Sequence, residues 1–127
     1  MLHISRKTLS QIAGLLLVVA GTATLSSAQS IQNATAQPGD IICLAPVQVP
    51  VFNYLHVVGN AVDQNNPSHP PVVVKWVAFD NDTNIRLFKV VNSQVDQSPF
   101  GNGDHYYACI NNNSAVAVTF SLSQTII

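Results

Sequence analysis

The chain has 127 residues, 47% of them hydrophobic and only 9% charged, with a formal net charge of −1. That balance excludes a nucleic-acid partner, because binding a phosphate backbone takes clustered Lys and Arg. Glutamate is absent while Asn, Gln, Ser and Thr abound, which disfavours helix and points to an uncharged, hydrogen-bonding surface.

Residues 1–28 read as a signal peptide. His3, Arg6 and Lys7 make a basic start, and the apolar run IAGLLLVVA, Ile12 to Ala20, is shorter than the roughly 20 residues a spanning helix needs. Ser26 and Ala28 hold the minus-three and minus-one places of a small-x-small cleavage site. The expected mature chain, 29–127, is the size of one domain, has no membrane span, and keeps three cations (Lys75, Arg86, Lys89) against six aspartates. No cysteine stands at the cleavage point, so no lipid anchor is implied.

Export places Cys43 and Cys109, the two cysteines of the chain, where thiols oxidise, so they are expected to form one disulfide. Redox chemistry would call for closely spaced thiols, and no C-x-x-C occurs.

Strands are expected from about Asp40 to Ala45 and from Val51 to Val58, punctuated by Pro46 and Pro50. The run DQNNPSHPP, 63–71, reads as a long surface loop. KWVAF, DNDTN and IRLFKVV then read as strand, turn and strand. QVDQSPFGNG, 94–103, reads as a loop or crossing. A strand from about His105 to Ile110 would carry Tyr107 and Cys109 inward on one face. NNNS, 111–114, reads as a tight hairpin turn into the last strand. There Val116, Val118, Phe120, Leu122 and Ile126 share one face, and Ala117, Thr119, Ser121, Ser123 and Thr125 the other. The expected fold is all-β: a small antiparallel β-sandwich, immunoglobulin-like or related, of about six to seven strands with one disulfide.

Asp104-x-x-Tyr107-x-Cys109 resembles the strand-F signature of immunoglobulin-type domains, with Trp76 between the cysteines, 33 positions after Cys43. The resemblance implies a corner hydrogen bond from Tyr107 and a disulfide joining two sheets. The closing hairpin is also similar to those that end many exported bacterial β-sandwich modules.

Asp80-x-Asp82-x-Asn84 has the oxygen spacing that opens a calcium loop, but Ile85 and Val91 stand where an EF-hand needs glycine and glutamate. A hairpin turn explains these residues without metal. His56, His69 and His105 show no ligand pairing, so no metal centre or cofactor is expected from them. For hydrolysis, neither a G-x-S-x-G elbow nor paired glutamates exist, and Asp104 and His105, as strand neighbours, would point apart. Sequons begin at Asn33, Asn81 and Asn112, glycan acceptors in a eukaryotic host. Tyr54, Phe100 and Tyr106, if exposed, would suit a carbohydrate-stacking platform, although aromatic residues on sheets are more often core.

The function expected is that of a secreted or periplasmic, non-enzymatic binding or adhesion domain recognising a glycan or a protein. The alternative is a structural subunit of a surface layer or fibre, which would use the regular last strand if it lies at a sheet edge.

Overall fold

A computed structural model of the chain describes residues 28–66, 68 and 71–127. The signal-peptide expectation for 1–27, and His69, lie outside the described residues. Among the described residues nine strands form: β1 (Ala28–Ala36), β2 (Ile41–Cys43), β3 (Val47–Gln48), β4 (Leu55–Asp63), β5 (Val74–Asp80), β6 (Ile85–Asn92), β7 (Gln94–Gln97), β8 (His105–Asn111) and β9 (Val118–Ile126). They make two antiparallel sheets, one ordered β1-β9-β4-β7 and the other β2-β8-β5-β6, with β3 pairing β8 below β2. Among the described residues no helix is long and apolar enough to cross a membrane.

Counting β2 and β3 as one broken strand, this is the eight-position order of a jelly roll. The immunoglobulin resemblance therefore extends to two packed sheets and not to strand order. Strands β1, β3 and β7 exceed the expected number.

The core lies between the sheets. Ile31, Leu55, Val57, Phe120 and Leu122 from the first sheet meet Ile42, Val74, Trp76, Ala78, Tyr106, Ala108 and Ile110 from the second. Trp76 spans this interior. Its Nε1 donates to the Asn92 carbonyl at 3.0 Å, and its ring abuts β4 so closely that a Cβ at Gly59 would lie 2.7 Å from Cζ3. Glycine is required there because the two sheets meet through that ring.

The disulfide joins Cys43 and Cys109, as expected from export, but it does not join the sheets. The two residues stand opposite each other on β2 and β8, with Cα atoms 4.0 Å apart. Tyr106, Ala108 and Ile110 are the β8 residues in the main core, while Tyr107 and Cys109 face outward. With Cys43, Val77 and Phe79 they form a second apolar cluster on the outer side of the sheet. Trp76 thus packs on the opposite side of its sheet from the bridge. The tyrosyl corner bond belongs to Tyr106, whose hydroxyl donates to the Phe100 carbonyl at 2.9 Å.

The link from β8 to β9 is a crossing between sheets, not the expected hairpin. Asn112 is fully buried; its Nδ2 donates to the carbonyls of Ala36 (2.9 Å) and Val116 (2.8 Å), and its Oδ1 accepts from Ser114. These bonds tie the corner to the end of β1, where a hairpin would leave the amide idle. Gln124, equally buried, also bridges the sheets: Oε1 accepts from Ala108 N at 3.0 Å and Nε2 donates to the Ala45 carbonyl at 2.8 Å.

Candidate binding face

Alternate residues of a strand share a face. On β4, Leu55, Val57, Gly59 and Ala61 are buried, so His56, Val58 and Asn60, with Tyr54 just before them, look outward from the first sheet. The ladders then set this outer face in rows. The first is Ile127, Tyr54 and Phe100, joined by backbone pairing. Thr125 and His56 follow, then Ser30, Ser123, Val58 and Asp96, and then Ser121, Asn60 and Gln94.

One end of the face is aromatic. Tyr54 and Phe100 pack edge to face with centroids 5.1 Å apart, and both remain exposed. Farther along, past the His56 row, a groove of about 660 Å³ crosses β9, β4 and β7 to the end of β6. Gln32, Asn60, Asn92, Gln94, Ser121 and Ser123 line it, over the backbone of Gly59 and the side chain of Val58. Asp96 is its charged lining residue, and the Asp96 carboxylate meets His56 Nε2 at 2.7 Å. Ligand sites are usually apolar with a few polar groups. This one is rich in amides and hydroxyls, which suits a neutral ligand offering many hydroxyls of its own.

A second cluster lies at the far end of β5 and β8. Asp80, Asp82 and Asp104 bring carboxylate oxygens within 4.8 Å of one another, an arrangement of hard oxygens able to hold a divalent cation. Asp104, not Asn84, completes the group; Asn84 closes the β5–β6 turn in a left-handed conformation (φ 62°), its N–H donating to the Asp80 carbonyl. The cluster is also well bonded within itself. Asp80 Oδ1 accepts from the Asp82 and Thr83 N–H groups, and Asp82 Oδ2 accepts from His105 N (2.9 Å) and meets His105 Nδ1 (3.1 Å). Burial alone would raise Asp80, yet its hydrogen bonds with Asp104, Asp82, Asn102 and Thr83 hold it below the ordinary carboxylate value. The His105 backbone and ring lower Asp82. Asp104 is raised, chiefly because it shares a hydrogen bond with Asp80.

The signs of these shifts fix a pH dependence. Stability from Asp80 and Asp82 is present above the ordinary carboxylate value and is lost as pH falls through their lowered values. Stability from Asp104 is complete below that value and is lost as pH rises through its raised one. Asp104→Asn keeps a donor toward Asp80 without the second charge, so it should abolish the loss expected as pH rises from the ordinary carboxylate range through the raised value of Asp104. Thermal melts across that range check this; a variant less stable than the parent at pH 7 would contradict it.

Of the other residues singled out in the sequence, Tyr106 is core and not part of a platform. His56 and His105 each meet a different aspartate and do not converge. Asp104 and His105 diverge, toward Asp80 and Asp82 respectively. Asn33 is exposed and Asn81 half-buried, while Asn112 is interior with its amide engaged. Asn60, Gln94 and Ser121 carried no sequence signal, because the face exists only once β7 is paired with β4.

No family model and no curated protein matches the chain. Among solved structures it is similar to the C-terminal carbohydrate-binding module (CBM6) of a laminarinase from Zobellia galactanivorans, at 9% identity and TM-score 0.44, covering 81% of this chain and 94% of that one. It is also similar to an adhesin domain of Lys-gingipain from Porphyromonas gingivalis (10%, TM-score 0.46, 78% and 69%). A third is a carbohydrate-binding module of a Cellvibrio mixtus lichenase, in complex with cellotriose (12%, TM-score 0.44, 79% and 87%). Likenesses this distant leave the function to be argued from the chain's own residues.

Proposed function

We propose that residues 29–127 form an exported, non-catalytic glycan-binding domain whose ligand, a neutral oligosaccharide, lies along the outer face of the β1-β9-β4-β7 sheet. The observation that carries this reading is the groove of amides and hydroxyls, with an exposed aromatic pair at one end of the same sheet face. Amides of Asn and Gln donate and accept at once, as sugar hydroxyls do, and aromatic faces cover the apolar side of a sugar ring. The disulfide supports export. For a glycosylating host, Asn33 is the acceptor the fold leaves open to solvent.

The fibre reading loses its motivation, because β9 sits between β1 and β4 and offers no free edge to a neighbouring chain.

A glycan array followed by calorimetry tests the proposal. Asn60→Ala combined with Gln94→Ala should weaken the best array ligand by about tenfold or more, from two lost hydrogen bonds of about 1 kcal/mol each. Both side chains are exposed, so melting should hold. Silence across all neutral glycans, or full affinity in the double variant, would refute the assignment.

A further inference from the structure

Beyond the Tyr54–Phe100 pair, the chain turns through Pro50, Val51, Phe52 and Asn53, closed by a bond from Asn53 N to the Pro50 carbonyl at 3.1 Å. Phe52 has φ 73°, a positive value at the third position that such a turn normally gives to Gly or Asn. A phenylalanine there is strained by its own Cβ. Its side chain is also 86% exposed, so it contributes little packing in return.

The turn is held firmly. Gly101 N donates to the Asn53 carbonyl at 2.7 Å, Asn53 Nδ2 donates to the Ile127 carbonyl at 3.2 Å, and a Cβ on Gly101 would overlap the Pro50 carbonyl oxygen. Val51, Tyr54, Phe100 and Ile127 are exposed around the same end of the sheet. Glycine at 52 would serve the fold at lower cost, so the strain and the exposed ring point to a ligand.

We infer that Phe52 is a stacking residue for a pyranose ring of the glycan, and that it selects extended β-linked chains of equatorially hydroxylated sugars. This rests on the glycan-binding reading above. An aromatic face covers a sugar ring through a ring face that bears C–H groups, and a ring whose hydroxyls are all equatorial offers such a face on both sides. β-1,4-Linked chains of such rings run extended, and the face from Tyr54 to Asn60 is a strip of about 20 Å, six steps at about 3.3 Å each. The strip adjoins the Phe52 turn directly.

The test is calorimetry on the disulfide-bonded domain with cellohexaose and xylohexaose, and with α-linked maltohexaose as the curved control. The parent should bind a β-linked probe in preference to maltohexaose. Phe52→Gly should weaken that binding about tenfold or more, with a melting temperature that holds within a few degrees, since relief of the strain offsets the freedom glycine adds to the unfolded chain. A structural role would instead lower the melting temperature. Parent-like affinity in Phe52→Gly, while the Asn60/Gln94 double variant loses binding, overturns this inference and leaves the glycan reading standing. Preference for maltohexaose overturns the chain class. A dimer of the parent that Phe52→Gly dissociates on size exclusion overturns it in favour of a self-association surface. Silence of the parent toward every glycan overturns both.

Discussion

Replacing Cys43 and Cys109 together by alanine is expected to destabilise the domain by about 4 kcal/mol, because the bridge closes a loop of 66 positions and restricts the unfolded chain. In a domain of this size, that corresponds to a fall of about 20 °C in melting temperature. The placement of the bridge sharpens the expectation. Cys43 and Cys109 pair within one sheet, where β2 has only three residues and a single partner strand, so the bridge fastens an edge that hydrogen bonds alone hold weakly. The two sulfurs also fill the outer cluster with Val77, Phe79 and Tyr107, so alanine removes packing as well. Because the main core lies on the other side of the sheet, the variant should remain folded at low temperature with its β signature intact. Denaturant unfolding with and without reductant measures the effect; a difference under about 1 kcal/mol would show that the bridge constrains nothing the strands do not already hold.

Trp76→Ala should cost a similar amount, about 3–5 kcal/mol, through the cavity left by the largest fully buried side chain. Its consequence for function should be larger than that of the bridge. The indole stands on β5 and presses against Gly59 on β4, and it holds the Asn92 carbonyl at the end of β6. Gly59 and Asn92 both line the groove. Removing the ring therefore unseats the groove floor from behind, and glycan affinity should fall even at temperatures where the variant stays folded. Trp76→Phe separates the two contributions: it retains much of the volume and removes the hydrogen bond to the Asn92 carbonyl, a loss of about 1 kcal/mol. A Trp76→Ala domain as stable as the parent would mean that the sheets do not pack through this ring.

The β5–β6 hairpin was legible in the sequence because Asp80 to Asn84 are turn residues with little other use, and the alternation of β9 is clean because one of its faces meets water. β8 gave no such contrast. Five successive residues, Tyr106 to Ile110, are buried, since the disulfide cluster covers the outer side of that sheet. Alternation therefore cannot tell which tyrosine enters the main core. β1 was hidden for another reason: a bulge between Ile31 and Ala34, with Asn33 at φ 51°, breaks its period. β7 buries only Val95 among four residues. Without β7 the outer face cannot be laid out, since its rows depend on Asp96 lying opposite Val58 and Gln94 opposite Asn60. Asn112 shows the limit of turn chemistry. An Asn-rich link serves a hairpin or a corner equally well locally, and only the distant Ala36 carbonyl makes it a corner.

The central claim is that one outer sheet face binds a neutral glycan. Amide NMR during titration with the best array ligand tests it most directly. Shifts should concentrate at the side-chain amides of Asn60 and Gln94 and at the backbone of Val58, Asp96 and Ser121, extending to Asn92 at the end of β6, with the β2 and β5 backbone on the opposite sheet nearly still. Shifts centred instead on that opposite sheet, around Val77 and Tyr107, would contradict it.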